Sequence, residues 1–164
     1  MLHSGAEQFL NVFYPPKKIF KCPPLVIEMK RGQYALGSLR IVLGWFFLWA
    51  FFDKLFGLGF ATKATDAWLA GVSPTAGFLK FGTHGPLAPF YQSLAGSAIV
   101  DWLFMLGLLF LGISLFLGIF MRLACCAGVV LMLLMWSSLL PPEHNPIVDE
   151  HIIYSLVMIT LLKF

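Results

Sequence analysis

The chemistry-bearing side chains of this chain gather at the ends of its apolar stretches. Asp53, Lys54, Asp101, Asp149, Glu150 and His151 each stand at such an end, and His84 and His144 lie in the segments between. A histidine beside a carboxylate suits proton exchange with a redox-active organic molecule. A quinone is such a molecule, because its reduction to the quinol consumes protons as well as electrons, and aromatic-lined gaps between helices fit its ring. His151, Asp149 and Asp101 are therefore the candidates for the proton-exchanging, catalytic end of a site. Trp45, Trp49, Phe52, Trp102, Trp136 and Tyr154 supply aromatic surface. The plainer alternative is that the charges cap helices and form interfacial ion pairs, with Asp53 and Lys54 simply solvated. On that view the aromatic residues meet lipid or form an interfacial belt.

The elements that must position these residues are four apolar runs in 164 residues: Tyr34–Phe52, Ile99–Phe120, Leu123–Leu140 and Ile147–Phe164. Each is about as long as the roughly 20 helical residues that cross a ~30 Å hydrocarbon core. Hydrocarbon offers backbone groups no partner, so a spanning segment of this kind is helical. Hydrophobic residues make up 59% of the chain and charged residues 12%, too few polar groups to coat four such helices in water. The expectation is an all-α, polytopic membrane protein built as a four-transmembrane-helix bundle. A net charge of +3 is too small to point to nucleic acid.

Lysine and arginine set the expected orientation. Lys17, Lys18, Lys21, Lys30 and Arg31 precede the first run, Arg122 sits in the tight turn between the second and third, and Lys163 is among the last residues of the fourth. Short basic segments stay cytoplasmic. Both termini are therefore expected inside, with loops 53–98 and 141–151 outside a cell membrane crossed several times. Residues 1–33, polar and proline-rich, are expected to be an irregular cytoplasmic segment ahead of a membrane domain over 34–164. Without a short apolar stretch near the start, the first run reads as an uncleaved signal anchor. Cys22, Cys125 and Cys126 have neither disulfide nor zinc spacing, and no haem, metal or nucleotide motif is evident.

Finer patterns place individual residues. Arg40, Gly44, Phe47, Phe51 and Lys54 share one face of the first helix, and Arg40 lies near enough the inner surface to snorkel. The first loop is too apolar for a solvated linker. It is expected to hold short interfacial helices over Lys63–Ala70, from the Ser73-Pro74 start signal to Lys80, and over Pro89–Leu94. Ser114 with Gly118, and Ala124 with Gly128, are small-residue pairs that permit close packing of the second and third runs. On the fourth, His151, Ser155, Met158 and Leu162 share one face, and Asp149, Ile153, Leu156 and Thr160 another.

Several strings resemble the DoxX/DoxD family. They include the stretch from Ser38 through Arg40, Gly44 and Asp53-Lys54 to Thr62, then Phe81-Gly82-Thr83-His84-Gly85-Pro86, Asp101-Trp102 and Gly118 to Arg122. The clearest is Leu140-Pro141-Pro142-Glu143-His144-Asn145-Pro146 with Asp149-Glu150-His151 and Tyr154. The resemblance covers residues 34–164 and implies a four-helix membrane bundle. One characterised branch is the membrane subunit of a thiosulfate:quinone oxidoreductase, which works with an extracytoplasmic DoxA-type partner. Other relatives look like membrane partners in oxidant or thiol defence. The resemblance makes the expected function that of a quinone-linked subunit with a DoxA-like or other extracytoplasmic partner. The alternative is a non-catalytic anchor or assembly partner. Quinone is the expected cofactor or substrate, with Arg40, Trp49 and Tyr154 as candidate binding residues and a homo-oligomer as a further possibility. Relatives continue past the fourth span into a basic tail, so a missing C-terminal tail is suspected here.

Overall fold

A computed structural model describes residues 25–163, apart from 143, 144 and 146, with side chains from residue 32 onward. Most of the expected N-terminal segment, together with Cys22 and His144, lies outside the described residues. Among the described residues the chain is helical throughout, with no strand. It divides into two compact units, Met1–Ala35 and Leu36–Phe164. In the first, residues 25–35 belong to helix α1 (Leu25–Phe56), which corrects the irregular reading of residues 25–33. The sequence Pro23-Pro24 ahead of it suits a helix start, because proline's missing N–H costs nothing in the first turn.

The second unit holds the rest of α1 and helices α2 (Ala88–Ser93), α3 (Ala98–Leu117), α4 (Met121–Ser138) and α5 (Glu150–Leu161). Three helical stretches are long and apolar enough to cross a membrane: Gly32–Phe56, Ala98–Leu117 and Met121–Ser138. The fourth apolar run yields only the 12 residues of α5, a rise of about 18 Å. Side chains that turn away from the core are themselves large and apolar. Leu103 is 74% exposed, Leu117 62% and Leu156 59%. A helix hydrophobic on its outer as well as its inner face suits hydrocarbon rather than water.

Inside, Leu43, Phe47 and Phe51 of α1 join Met105, Leu108, Leu111 and Leu115 of α3, with Met132 of α4 and Met158 of α5. The α1 face expected from spacing is thus the buried one. Glycines fix where the backbones meet. A methyl group on Gly44 would stand 2.9 Å from Phe116 Cα, and one on Gly112 would stand 2.6 Å from Leu48 Cγ. These contacts make α1 and α3 antiparallel neighbours in close approach, the device that substitutes for a hydrophobic driving force in lipid. Of the small residues expected to let the second and third runs pack closely, Gly128 meets α3, where an added methyl group would stand 3.2 Å from Leu111 Cδ2, and it also admits the Met158 thioether from α5. Gly118 lies against Arg40 of α1.

Between α1 and α3 the chain makes two short 3-10 turns, Ala64–Asp66 and Trp68–Ala70, then a turn of π-helix, Phe78–Gly82, and then α2. Trp68 packs edge-on against Trp102 of α3, with ring centres 4.7 Å apart. The Gly82–Pro86 turn is tied to the end of α4: His84 N donates to Ser138 O, and its ring nitrogens contact Gly82 O and Pro141 O.

Candidate functional site

Three carboxylates lie at one end of the second unit, and each is held differently. Asp53, in the last turn of α1, is 1% exposed. It accepts from the backbone N–H groups of Phe60 and Ala61 at 3.3 and 3.0 Å. Far from being solvated, it closes the chain back on the helix end, through a turn in which Gly57 and Gly59 take positive φ.

Asp101 stands in the first turn of α3, where a carboxylate complements the helix dipole. It is buried, and one oxygen accepts both the Ser73 hydroxyl at 2.8 Å and the Thr75 hydroxyl at 2.5 Å. Ser73 in turn accepts from Ala76 N at 3.1 Å, the geometry of a helix-start residue. The loop's own start signal is thereby fastened to α3.

Asp149 is the N-cap of α5. One oxygen accepts from the His151 and Ile152 amides at 3.1 and 3.2 Å, and the other meets His151 Nδ1 at 2.7 Å. His151 is 8% exposed. Bonding of Nδ1–H to the carboxylate leaves Nε2 as the acceptor in the neutral tautomer. The pair thus caps the helix and orients an imidazole together, so the two readings of Asp149 are compatible. His151, Ser155 and Met158 are buried as one face, but Leu161 rather than Leu162 completes it, because a three-residue step from Met158 keeps to that side.

A cavity of about 420 Å³ lies beside Asp101, within the range of pockets that take small organic ligands. Its walls come from the loop (Pro74, Thr75, Phe78, Leu79), from α2 (Phe90, Tyr91), from α3 (Val100, Leu103, Phe104) and from α4 (Leu131, Leu134, Met135, Ser138). Lys54 is the charged side chain among the described lining residues. Two of the wall's four polar side chains are already bonded to α4. Tyr91 Oη meets Ser137 Oγ at 2.6 Å and donates to Leu134 O at 3.2 Å, and Ser138 Oγ donates to Met135 O at 2.7 Å. Two groups retain capacity toward an occupant. Lys54 makes no hydrogen bond or ion pair among the described residues, and the Thr75 hydroxyl connects the cavity wall to Asp101.

The candidate residues therefore divide. Asp101 stands behind the cavity wall, and the other five do not line it. Trp49 packs tilted against Trp45 and edge-on against Phe60, with ring centres 5.9 and 5.1 Å apart, and the Tyr154 ring lies 5.4 Å from that of Phe46. Arg40 sits midway along α1, at the opposite end of the second unit from the carboxylates. Reasoning from sequence passed over Thr75, Tyr91 and Ser138, and it treated Lys54 as a surface charge. The spacing of Lys54 on the buried Arg40–Phe47–Phe51 face was the signal that could have found it.

No protein-family model matches this chain, and comparison with curated proteins and with solved structures gives no match either. The likeness to the DoxX/DoxD family rests on the motifs quoted above.

Proposed function

We propose that this chain is the membrane subunit of a quinone-linked oxidoreductase of DoxX/DoxD type, with the quinone ring seated in the cavity beside Asp101. The carrying observation is that cavity: an apolar chamber of about 420 Å³ with one ammonium and one carboxylate-linked hydroxyl at its wall. In this reading Lys54 donates a hydrogen bond to a quinone oxygen, and the Thr75 hydroxyl passes protons from Asp101. Two electrons reach the quinone from an extracytoplasmic partner of DoxA type. Joining two thiosulfates through a new S–S bond into tetrathionate releases that electron pair, and two protons complete the quinol. His151 and Asp149 form a second proton-handling pair at the same end of the unit.

The same reading takes the chain as a four-span protein of the cell membrane with both termini cytoplasmic. Its short loop helices lie at the outer interface, and α5 with its flanking residues forms the fourth crossing. The apolar outward face of α5, with Ile153, Leu156 and Ile159 exposed, supports a lipid setting. A competing reading, a non-catalytic anchor for an extracytoplasmic redox or oxidant-defence protein, draws on a specific observation too. Asp53, Asp101 and Asp149 each already have a full structural task.

The test is purification from native membranes with the partner attached, followed by assay of bound quinone and of quinol formation. Lys54→Met should abolish quinone retention while the complex stays assembled. His151→Gln should lower turnover by about 10² or more if the imidazole relays protons, and should leave it near normal if the residue only helps cap α5. A complex that retains no quinone and reduces none leaves the anchor reading standing.

A further inference from the structure

Among the described side chains, the end of the second unit opposite the carboxylates carries charge of one sign. Arg40, Arg122 and Lys163 lie there, whereas the described carboxylates Asp53, Asp66, Asp101, Asp149 and Glu150 belong to the other end or its loop. The antiparallel contacts of Gly44 with Phe116 and of Gly112 with Leu48 fix this polarity. Arg40 is not a free surface cation. Its guanidinium is seated on Gly118, where an added methyl group would overlap Nη1, Cζ and Nη2. Gly118 ends α3 with φ +76°, so the seat stands at the negative end of that helix's dipole, which favours a cation.

The seat holds the side chain without satisfying it. Arg40 Nε is buried with no hydrogen-bond partner, and so is Ser114 Oγ one turn earlier on α3. No hydrogen bond or ion pair to Arg40 occurs among the described residues. A guanidinium within an apolar helix is costly unless anionic oxygens meet its planar fork, and phosphate oxygens do so in pairs. The chain's described residues offer no such oxygen at this end.

We propose that Arg40, seated on Gly118, binds the phosphate of an anionic phospholipid. The charge of the site selects the class. Three cations without a described carboxylate favour a headgroup of net negative charge over a zwitterionic one. The site is independent of the cavity and of any redox reaction.

The experiment measures thermal unfolding of the full chain in a neutral detergent with added phosphatidylglycerol, phosphatidylcholine or inorganic phosphate, with native mass spectrometry of retained lipid. Phosphatidylglycerol should raise the melting temperature by roughly 4 °C or more over phosphatidylcholine, and inorganic phosphate should not. Arg40→Gln should remove most of that difference, and Arg40→Lys should keep only part, because an ammonium retains the charge but loses the fork. Arg122→Gln and Lys163→Gln should keep most of it. Equal responses to the two lipids overturn the proposal, as does an undiminished response in Arg40→Gln. So does a response lost in Arg122→Gln or Lys163→Gln alone, a result available even if Arg40→Gln does not fold. A shift reproduced by inorganic phosphate overturns the lipid as its ligand.

Discussion

Asp101 and Asp149 do the same electrostatic work at the starts of two helices, yet one is held across the fold and the other within its own turn. The partners of Asp101 are hydroxyls 26 and 28 residues earlier in the chain. Those of Asp149 are two and three residues later. The first carboxylate therefore organises tertiary structure, pinning the loop that walls the cavity. The second organises only the turn that it begins. The same chemistry, at the N-cap of one helix and in the first turn of the other, thus has different reach.

The comparison breaks most visibly at Asp101. Asp101→Ala leaves two hydroxyls without their acceptor, and charge-assisted hydrogen bonds contribute about 1.5 to 3 kcal/mol each. A loss of roughly 3 kcal/mol in unfolding free energy is expected. Hydrogen exchange should accelerate across residues 73–82, which α1 and α4 do not hold by themselves. A loss below about 1 kcal/mol would make Asp101 no more than another cap.

Thr75→Val sharpens the contrast from the cavity side. It keeps the wall's shape and removes one bond to Asp101, for about 1.5 kcal/mol, the low end for a bond to a charged acceptor. Under the proposed function it also lowers quinol formation, whereas Ser73→Ala, at a comparable cost, does not. Asp149→Ala should cost about 1 kcal/mol, the usual value of an N-cap, with faster exchange confined to the His151 and Ile152 amides. Exchange spreading through α5 and into α4 would show that this carboxylate, too, acts beyond its own turn. The smallest effect is in the combination. Asp101→Ala and Asp149→Ala share no partner, so their costs should add to within about 0.5 kcal/mol. A larger coupling would join the two sites into one network.

How much of this was legible in sequence follows the same division. Three of the helices were, because their apolar runs are long, whereas the fourth run yields only the 12 residues of α5. The buried face of α1 was too, because Arg40, Gly44, Phe47, Phe51 and Lys54 keep one angular position along a regular helix. The Asp149–His151 pair was visible because its geometry is local. The link from Ser73 and Thr75 to Asp101 was not, since nothing in either stretch encodes the other's position. The Gly44–Phe116 and Gly112–Leu48 contacts were missed for that reason, and of the small residues that did stand out Gly118 lies against Arg40 and Gly128 against Met158 as well as Leu111 of α3. The cavity was illegible because it is a gap left by five elements, with half of its polar side chains bonded to α4.

Three residues of the cavity wall face two ways. Phe90, Leu103 and Leu134 line the chamber and are also 62%, 74% and 52% exposed, so the chamber is continuous with the apolar flank of the helices. In a bilayer, an occupant entering by that flank is drawn from the lipid phase and not from water. Its binding then follows mole fraction in the membrane, as partitioning solutes do. Diluting the same protein and occupant with twice the lipid would lower the chamber's occupancy, while diluting the suspension with buffer would leave it unchanged.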